Sequence, residues 1–219
     1  MKNNNTELVF ILDRSGSMHG MEKDTIGGFN SLIEKQKKLD GKCYVSTVLF
    51  DHETEVIHDR VELQEIKPMT ERDYEVRGST ALLDALGSAI HHIGNIHKYA
   101  REEDVPQNTM FVIITDGMEN ASRQYSYSSV KSMIERQKVK YGWDFIYLAA
   151  NIDAAENAAR FGIDESRAVD YNCDSDGMDV VYGAVCEAVS NARMNAPMSD
   201  EWRKSVDRDF EARGRKRKR

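Results

Sequence analysis

Two acidic segments stand directly after apolar runs. Asp13-Arg14-Ser15-Gly16-Ser17 follows the run Glu7–Leu12, and Asp116-Gly117 follows Met110–Thr115. In an open α/β sheet, ligands bind off the carboxyl ends of the strands, where the strand order reverses. If these two strands are neighbours, Asp13 and Asp116 converge there, and like charges so placed repel unless a cation sits between them. Ser15 and Ser17 add two hydroxyls. In an extended chain they would stand about 6.6 Å apart at about 3.3 Å per residue, too far for one ion. The segment must therefore curl, and Gly16 between them permits the necessary backbone angles. Gly78-Ser79-Thr80 precedes a helix-period stretch beginning near Ala81, so Thr80 supplies a third hydroxyl from a loop at a helix N-terminus. Asp13, Ser15, Ser17, Thr80 and Asp116 form an all-oxygen set. It suits a hard cation such as Mg²⁺, with bonds of about 2.0–2.1 Å and several retained waters, and disfavours zinc.

The elements that must position these residues follow from periodicity. Apolar, β-branched runs at Glu7–Leu12, Cys43–Phe50, Thr109–Thr115, Trp143–Ala149 and Arg167–Tyr171 read as buried strands. Between them, helix-period stretches occupy Asp24–Leu39, Ala81–Arg101, Ser128–Tyr141, Ala154–Phe161 and Asp179–Met194. Such alternation predicts a parallel sheet with helices on both faces. Glu53–His58 follows Phe50 after only Asp51-His52, too few residues for a crossover, and so predicts an antiparallel edge strand. The expected architecture is a doubly wound, Rossmann-like α/β domain over residues 5–195, with a mostly parallel six-stranded sheet. Residues 196–219 form a C-terminal helix and a basic tail. In that helix Trp202, Val206 and Phe210 fall at i, i+4 and i+8, a narrow apolar stripe expected to pack back on the domain.

The pattern D-x-S-x-S, then T, then D-G resembles the von Willebrand factor A domains with their metal-ion-dependent adhesion site. Asp13, Ser15, Ser17, Thr80 and Asp116 match it in order, and the strand–helix alternation and antiparallel edge strand extend the likeness over nearly the whole chain. The resemblance implies a binding module rather than an enzyme. Ser15, Ser17 and Thr80 would contact the metal directly, Asp13 and Asp116 often through water, with Mg²⁺ expected and Mn²⁺ or Ca²⁺ as alternatives. An ion ringed mainly by neutral hydroxyls keeps much of its charge, so the expected partner is a protein presenting Asp or Glu to it. Within the family the chain is similar to stand-alone bacterial members, among them tellurite-resistance-associated proteins and partners of AAA+ ATPases.

Other chemistries lack their markers. An aspartate-nucleophile phosphotransferase would want an acid two residues after Asp13, and Ser15 cannot protonate a leaving group. No phosphate-binding G-x-x-x-x-G-K-[ST] loop and no G-x-S-x-G elbow is present. His91, His92 and His97 do not share one helix face as a metal cluster would, and read as surface or capping residues. Asp174, Asp176 and Asp179 lack the Gly and Glu of a calcium loop and read as a helix N-terminus. Arg14, His19, Met18 and Met21 flank the site and are expected either to shape partner choice or to pack the loop.

Composition bounds the class. The 219 residues are 40% hydrophobic and 31% charged, without the roughly 20-residue apolar run of a membrane span. The polar start Met1-Lys2-Asn3-Asn4-Asn5 is unlike a signal peptide. Three cysteines without C-x-x-C spacing give no disulfide or zinc framework, and a cytoplasmic setting is expected. The net charge of −7 conceals a polarity, because Arg213–Arg219 holds six basic groups and leaves 24 basic against 37 acidic residues elsewhere, or −13. An acidic body repels phosphates, so nucleic acid is expected only through the tail, the alternative being a tail-borne nucleic-acid adaptor.

Overall fold

Burial on both faces explains why the strands read as near-continuous apolar runs. In the computed structural model, which describes residues 5–213, β1 (Thr6–Asp13) is buried at all eight positions. It lies beside β2 (Cys43–Phe50) and β4 (Asn108–Thr115), parallel to each. β5 (Asp144–Ala149) and β6 (Ala168–Asp170) extend the parallel sheet beyond β4. β3 (Thr54–Glu62) returns antiparallel along β2, giving the order β3-β2-β1-β4-β5-β6. The expected doubly wound α/β architecture, with five parallel strands and an antiparallel edge, is the one observed. The order reverses between β1 and β4.

Alternate residues of the central strands feed two cores. Leu8, Phe10 and Leu12, with Met110, Val112 and Ile114, pack against α1 (Glu22–Gln36) and α5 (Ser175–Arg193). Val9 and Ile11, with Phe111 and Ile113, pack against α2 (Leu82–Tyr99), α3 (Tyr127–Tyr141) and α4 (Ala154–Arg160). Helix ends carry their own signals. Ser126 and Ser129 form a capping box on α3, which stops at Gly142 in the left-handed conformation. Asp174 caps α5 through the Gly177 N–H, so α5 begins at Ser175, four residues before the expected Asp179. The intervening Gly177 is needed because a Cβ there would lie 1.9 Å from the Asn172 carbonyl oxygen.

β3 also outruns its expected end at His58. Its second half, Asp59–Glu62, is polar because it lies on an edge, and a bulge opposite Val45–Val48 with Arg60 at φ 50° lets the ladder continue. The terminal stripe packs as expected for two of its members. Trp202 and Val206 are buried in the α1/α5 core, whereas Phe210 on α6 (Lys204–Arg213) stays exposed. Arg213, first of the basic run, pairs with Asp174 at 2.9 Å and Asp209 at 2.6 Å. Gly214–Arg219 and Met1–Asn4 lie outside the described residues. No described helix is long and apolar enough to cross a membrane.

The C-terminus of α1 leaves carbonyls that a helix cannot pair itself. Buried Arg193 of α5 takes up that of Gln36 and also the carbonyls of Leu39, Asp40 and Gly41 in the loop that follows. Arg193→Met keeps the aliphatic stem and strips these bonds. It should lower unfolding free energy by about 2–4 kcal/mol, and a urea midpoint within error of wild type would show that the bonds add nothing.

Candidate metal centre

Asp13 ends β1 and Asp116 follows β4, so the split between these strands places both carboxylates at the switch point. The Asp13 carboxylate accepts from the Ser15 N–H at 2.7 Å and from the Thr115 hydroxyl at 2.5 Å. After Ser15 the chain curls into a 3₁₀ turn, Gly16–Met18, which brings the Ser17 hydroxyl to 3.1 Å from that of Ser15. The Thr80 hydroxyl donates to Ser15 Oγ at 3.1 Å, and Ser17 Oγ donates to Asp116 at 2.5 Å. Thr80, Ser15, Ser17 and Asp116 thus form one chain of oxygens, with Asp13 fixed beneath Ser15. All five residues named from the sequence come together. Asp13, Ser15, Thr80 and Asp116 are buried, and the group opens to solvent at Gly16 and Ser17.

Gly16 serves a different purpose from the one expected. It takes no left-handed angle; instead its N–H donates to the Gly78 carbonyl at 3.1 Å, and a Cβ would press on that oxygen at 3.3 Å. Gly78 is the residue that needs φ > 0, at +68°, and a Cβ there would overlap the His52 ring. A Cβ on Gly117 would intrude on the hydroxyls themselves, 3.3 Å from Ser17 Oγ and 3.5 Å from Thr80 Oγ1. The D-G dipeptide keeps that space clear.

The loops are held by an amide and several acids that spacing alone does not mark. Asn120 Oδ1 accepts from the Thr80 N–H, and the Thr80 carbonyl accepts from the N–H groups of Asn120 and Ala121. Glu119 accepts from the Leu83 N–H and the Ser122 hydroxyl, and Asp84 from the N–H groups of Arg123, Gln124 and Tyr125. The loop carrying Asp116 is therefore stapled to the start of α2 beside Thr80. On the other side, buried Asp51 binds Arg14 at 2.9 Å and Arg77 at 3.0 Å. Burial pushes the Asp51 carboxyl up, but the Glu53 N–H and these two guanidiniums outweigh it and hold it below the usual range. No local signal marked these roles: Asp84 stands in the first turn of α2, yet it and Glu119 bind N–H groups some 36 to 41 positions away.

The flanking residues divide. Arg14 is buried in the pair with Asp51 and with Glu55, which removes it from the partner-facing rim where it had been considered. Met18 is buried in the α1 core, and Met21 packs against it. His19 remains on the rim, its side chain 86% exposed and 3.2 Å from Glu22. Among the helical histidines, His91 and His92 lie at the surface, the latter 2.8 Å from Asp59. His97 departs from that expectation, because it turns inward between Trp143 and the buried Glu7, which Arg60 also binds.

The residues fit a divalent cation on two observations. Asp116 Oδ2 is buried without a hydrogen-bond partner, and an unpaired carboxylate oxygen out of water is costly. Burial pushes the Asp13 carboxyl up to about 6, against the lowering effect of its bonds from Thr115 and Ser15, and burial raises Asp116 as well. No cluster of three or more His, Cys, Asp or Glu side chains is placed to hold a metal among the described residues; this group has only two carboxylates and is completed by hydroxyls.

The strand order and the antiparallel edge are those of the von Willebrand factor type A fold. Solved structures superpose on the chain, two of them named for this type. A von Willebrand factor type A protein from Catenulispora acidiphila aligns at TM-score 0.56 and 11% identity over 85% of this chain and 42% of its own. The ArnB paralog VWA2 from Sulfolobus acidocaldarius aligns at 0.50 and 19%, over 85% and 45%. A D319A mutant of the PilB minor pilin from Streptococcus sanguinis aligns at 0.61 and 12%, over 88% and 64%. The chain thus spans between 42% and 64% of the length of these relatives. By sequence, no family model and no curated protein matches it.

Because the folded Asp13 value of about 6 lies above the ordinary 3.8, the ionised form is disfavoured by folding. The metal-free chain should lose stability on this account as pH rises from about 4 through 6, by on the order of 3 kcal/mol in full. Asp13→Asn should therefore be the more stable protein above pH 6 in EDTA, with the gap closing toward pH 4. Parallel melting curves of the two across that range would refute the burial argument.

Proposed function

We propose that the chain is a Mg²⁺-dependent protein-binding module. Ser15, Ser17 and Thr80 hold the ion directly, Asp13 and Asp116 hold it directly or through water, and a carboxylate from an Asp or Glu of a partner protein completes the site. Mn²⁺ or Ca²⁺ could take the same place. The observation that carries this reading is the single chain of oxygens from Thr80 through Ser15 and Ser17 to Asp116 Oδ1, beside the second oxygen of that carboxylate, Oδ2, which is buried and unpaired. The ion supplies positive charge that three neutral hydroxyls leave uncompensated. The protein's own residues set how much. Two carboxylates could balance a divalent ion, yet Asp13 already accepts two hydrogen bonds and Asp116 one, which spreads their charge into the protein.

The fold supports an interaction module, and the reading extends to the stand-alone bacterial type, similar to tellurite-resistance-associated proteins, acting in the cytoplasm within a stress-response or ATPase-associated assembly. It is not an enzyme on this reading: Ser15 stands where a phosphotransferase would need its acid. The tail-borne nucleic-acid adaptor is the alternative outcome of the capture experiment below.

Mg²⁺ at about 100 times its Kd should stabilise the folded chain by about 2.7 kcal/mol, a rise of roughly 5–10 °C in Tm for a domain of this size. Asp116→Ala should remove most of that rise, and an equal rise in Asp116→Ala and Ser15→Ala would put the ion elsewhere.

Capture of a partner should fail in EDTA, with Thr80→Ala, and when the partner's contacting Asp or Glu is made Asn or Gln. It should survive deletion of the residues after Phe210. Prey retained in EDTA and by Thr80→Ala but lost with the tail would transfer binding to the basic run. Release of phosphate from phosphomonoesters, abolished by Asp13→Ala, would reinstate the phosphotransferase.

A further inference from the structure

β1 and β4 run in register from Thr6 opposite Asn108 to Leu12 opposite Ile114, and there the ladder ends. Past that pair the strands part to make room for the oxygen group; the Asp13 carbonyl loses its partner across the split, while that of Thr115 keeps one toward β5. Two buried tyrosines bond these carbonyls. The Tyr74 hydroxyl, from the loop between β3 and α2, donates to the Asp13 carbonyl. The Tyr171 hydroxyl, just past β6, donates to the Thr115 carbonyl at 3.2 Å, which also accepts from the Ala150 N–H. Both rings are 2% exposed and lie in the α1/α5 core directly beneath the site.

These carbonyls belong to the peptide units joining Asp13 to Arg14 and Thr115 to Asp116. Holding each oxygen fixes the plane of that unit, and with it the direction in which the chain leaves the strand. One plane aims the start of the Ser15–Ser17 turn. The other aims the Asp116 side chain. We propose that Tyr74 and Tyr171 are positioning residues for the metal ion, acting through main-chain carbonyls without touching the ion. The inference rests on the metal-binding reading above. Packing alone would be met by phenylalanine at both positions; the hydroxyls add the donor that the Asp13 carbonyl otherwise lacks and a second donor on the Thr115 carbonyl. Tyr182 makes the contrast in the same core: its ring packs over Gly28, where a Cβ would come within 2.1 Å, and its hydroxyl bonds nothing.

The test is Mn²⁺ titration of the full chain, followed by electron paramagnetic resonance at a temperature where circular dichroism shows every variant folded. Tyr74→Phe and Tyr171→Phe should each raise the Mn²⁺ Kd by roughly tenfold or more, as loss of residues that orient ligands does, and should alter the line shape of the bound ion. Tyr182→Phe should leave both unchanged. So should Val185→Ala, which removes buried volume on α5 from the same core and controls for lost stability. Native Kd and line shape in Tyr74→Phe and Tyr171→Phe, beside loss of binding in Asp116→Ala, would overturn the positioning role and leave the metal site standing. An equal loss in Val185→Ala would reduce the effect to stability and overturn it too. Failure of the wild-type chain to bind Mn²⁺ or Mg²⁺ would remove the metal reading and this inference with it.

Discussion

The structure turns on two carboxylates held out of water at the one place where its central strands separate. Asp13 and Asp116 are there because β1 sends its neighbours out in opposite directions, β2 and β3 to one side and β4 to β6 to the other, which leaves a crevice at the carboxyl ends of β1 and β4. Burial raises both acids, and one oxygen of Asp116 bonds nothing. A protein that needed only stability would put neutral or apolar groups at this point. Everything nearby can be understood as keeping the pair there, aimed, and open on one side.

Three loops contribute the site, and none is rigid by its own secondary structure. The fold makes them so by pairing main-chain groups to side chains from other segments. Asp84 and Glu119 bind six backbone N–H groups at the junction of α2 with the loop after β4. Asp51 draws Arg14 and Arg77 together, so that the first loop and the one carrying Thr80 share an anchor. Close backbone contact at Gly16 and Gly78 completes the join. A loop hydroxyl positioned in this way loses little entropy on meeting an ion, because ordering has already occurred in the fold.

How much of this was legible in the sequence depended on whether a residue's role was local. Strands buried on both faces announce themselves by unbroken apolar runs, so β1, β2, β4 and β5 fell within two residues of their observed ends, and the antiparallel return followed from chain length alone. Asp13, Ser15, Ser17 and Asp116 were legible because strand ends and spacing are local properties. Thr80 was reached because a helix start has a signature. What escaped depends on distant partners. Arg14 looked like a rim residue beside the site, but Asp51, 37 positions away, draws it inward. His97 looked like a surface histidine until Glu7, 90 positions away, gave it a buried partner. Gly16 was assigned the right permissiveness for the wrong reason, since the backbone it must admit belongs to Gly78. Tyr74 lay in a loop with no periodicity to mark it.

The same inventory of partners bears on what an ion in this crevice would feel. Acids are numerous around it, but most are already engaged: Asp51 by two guanidiniums, Glu119 and Asp84 by backbone N–H groups, Glu55 by Arg14, Glu22 by His19. The charge of those held by guanidiniums and backbone N–H groups is answered within the protein and falls away over a few ångströms of partly buried surroundings. Only Asp13 and Asp116 are aimed at the hydroxyls, and both are themselves hydrogen-bonded. The fold therefore does not surround the site with spare negative charge, as a site built to hold a cation permanently would. On the metal-binding reading proposed above, the balancing charge would come from outside, through the gap at Gly16 and Ser17, and a partner's carboxylate there would add to the binding energy.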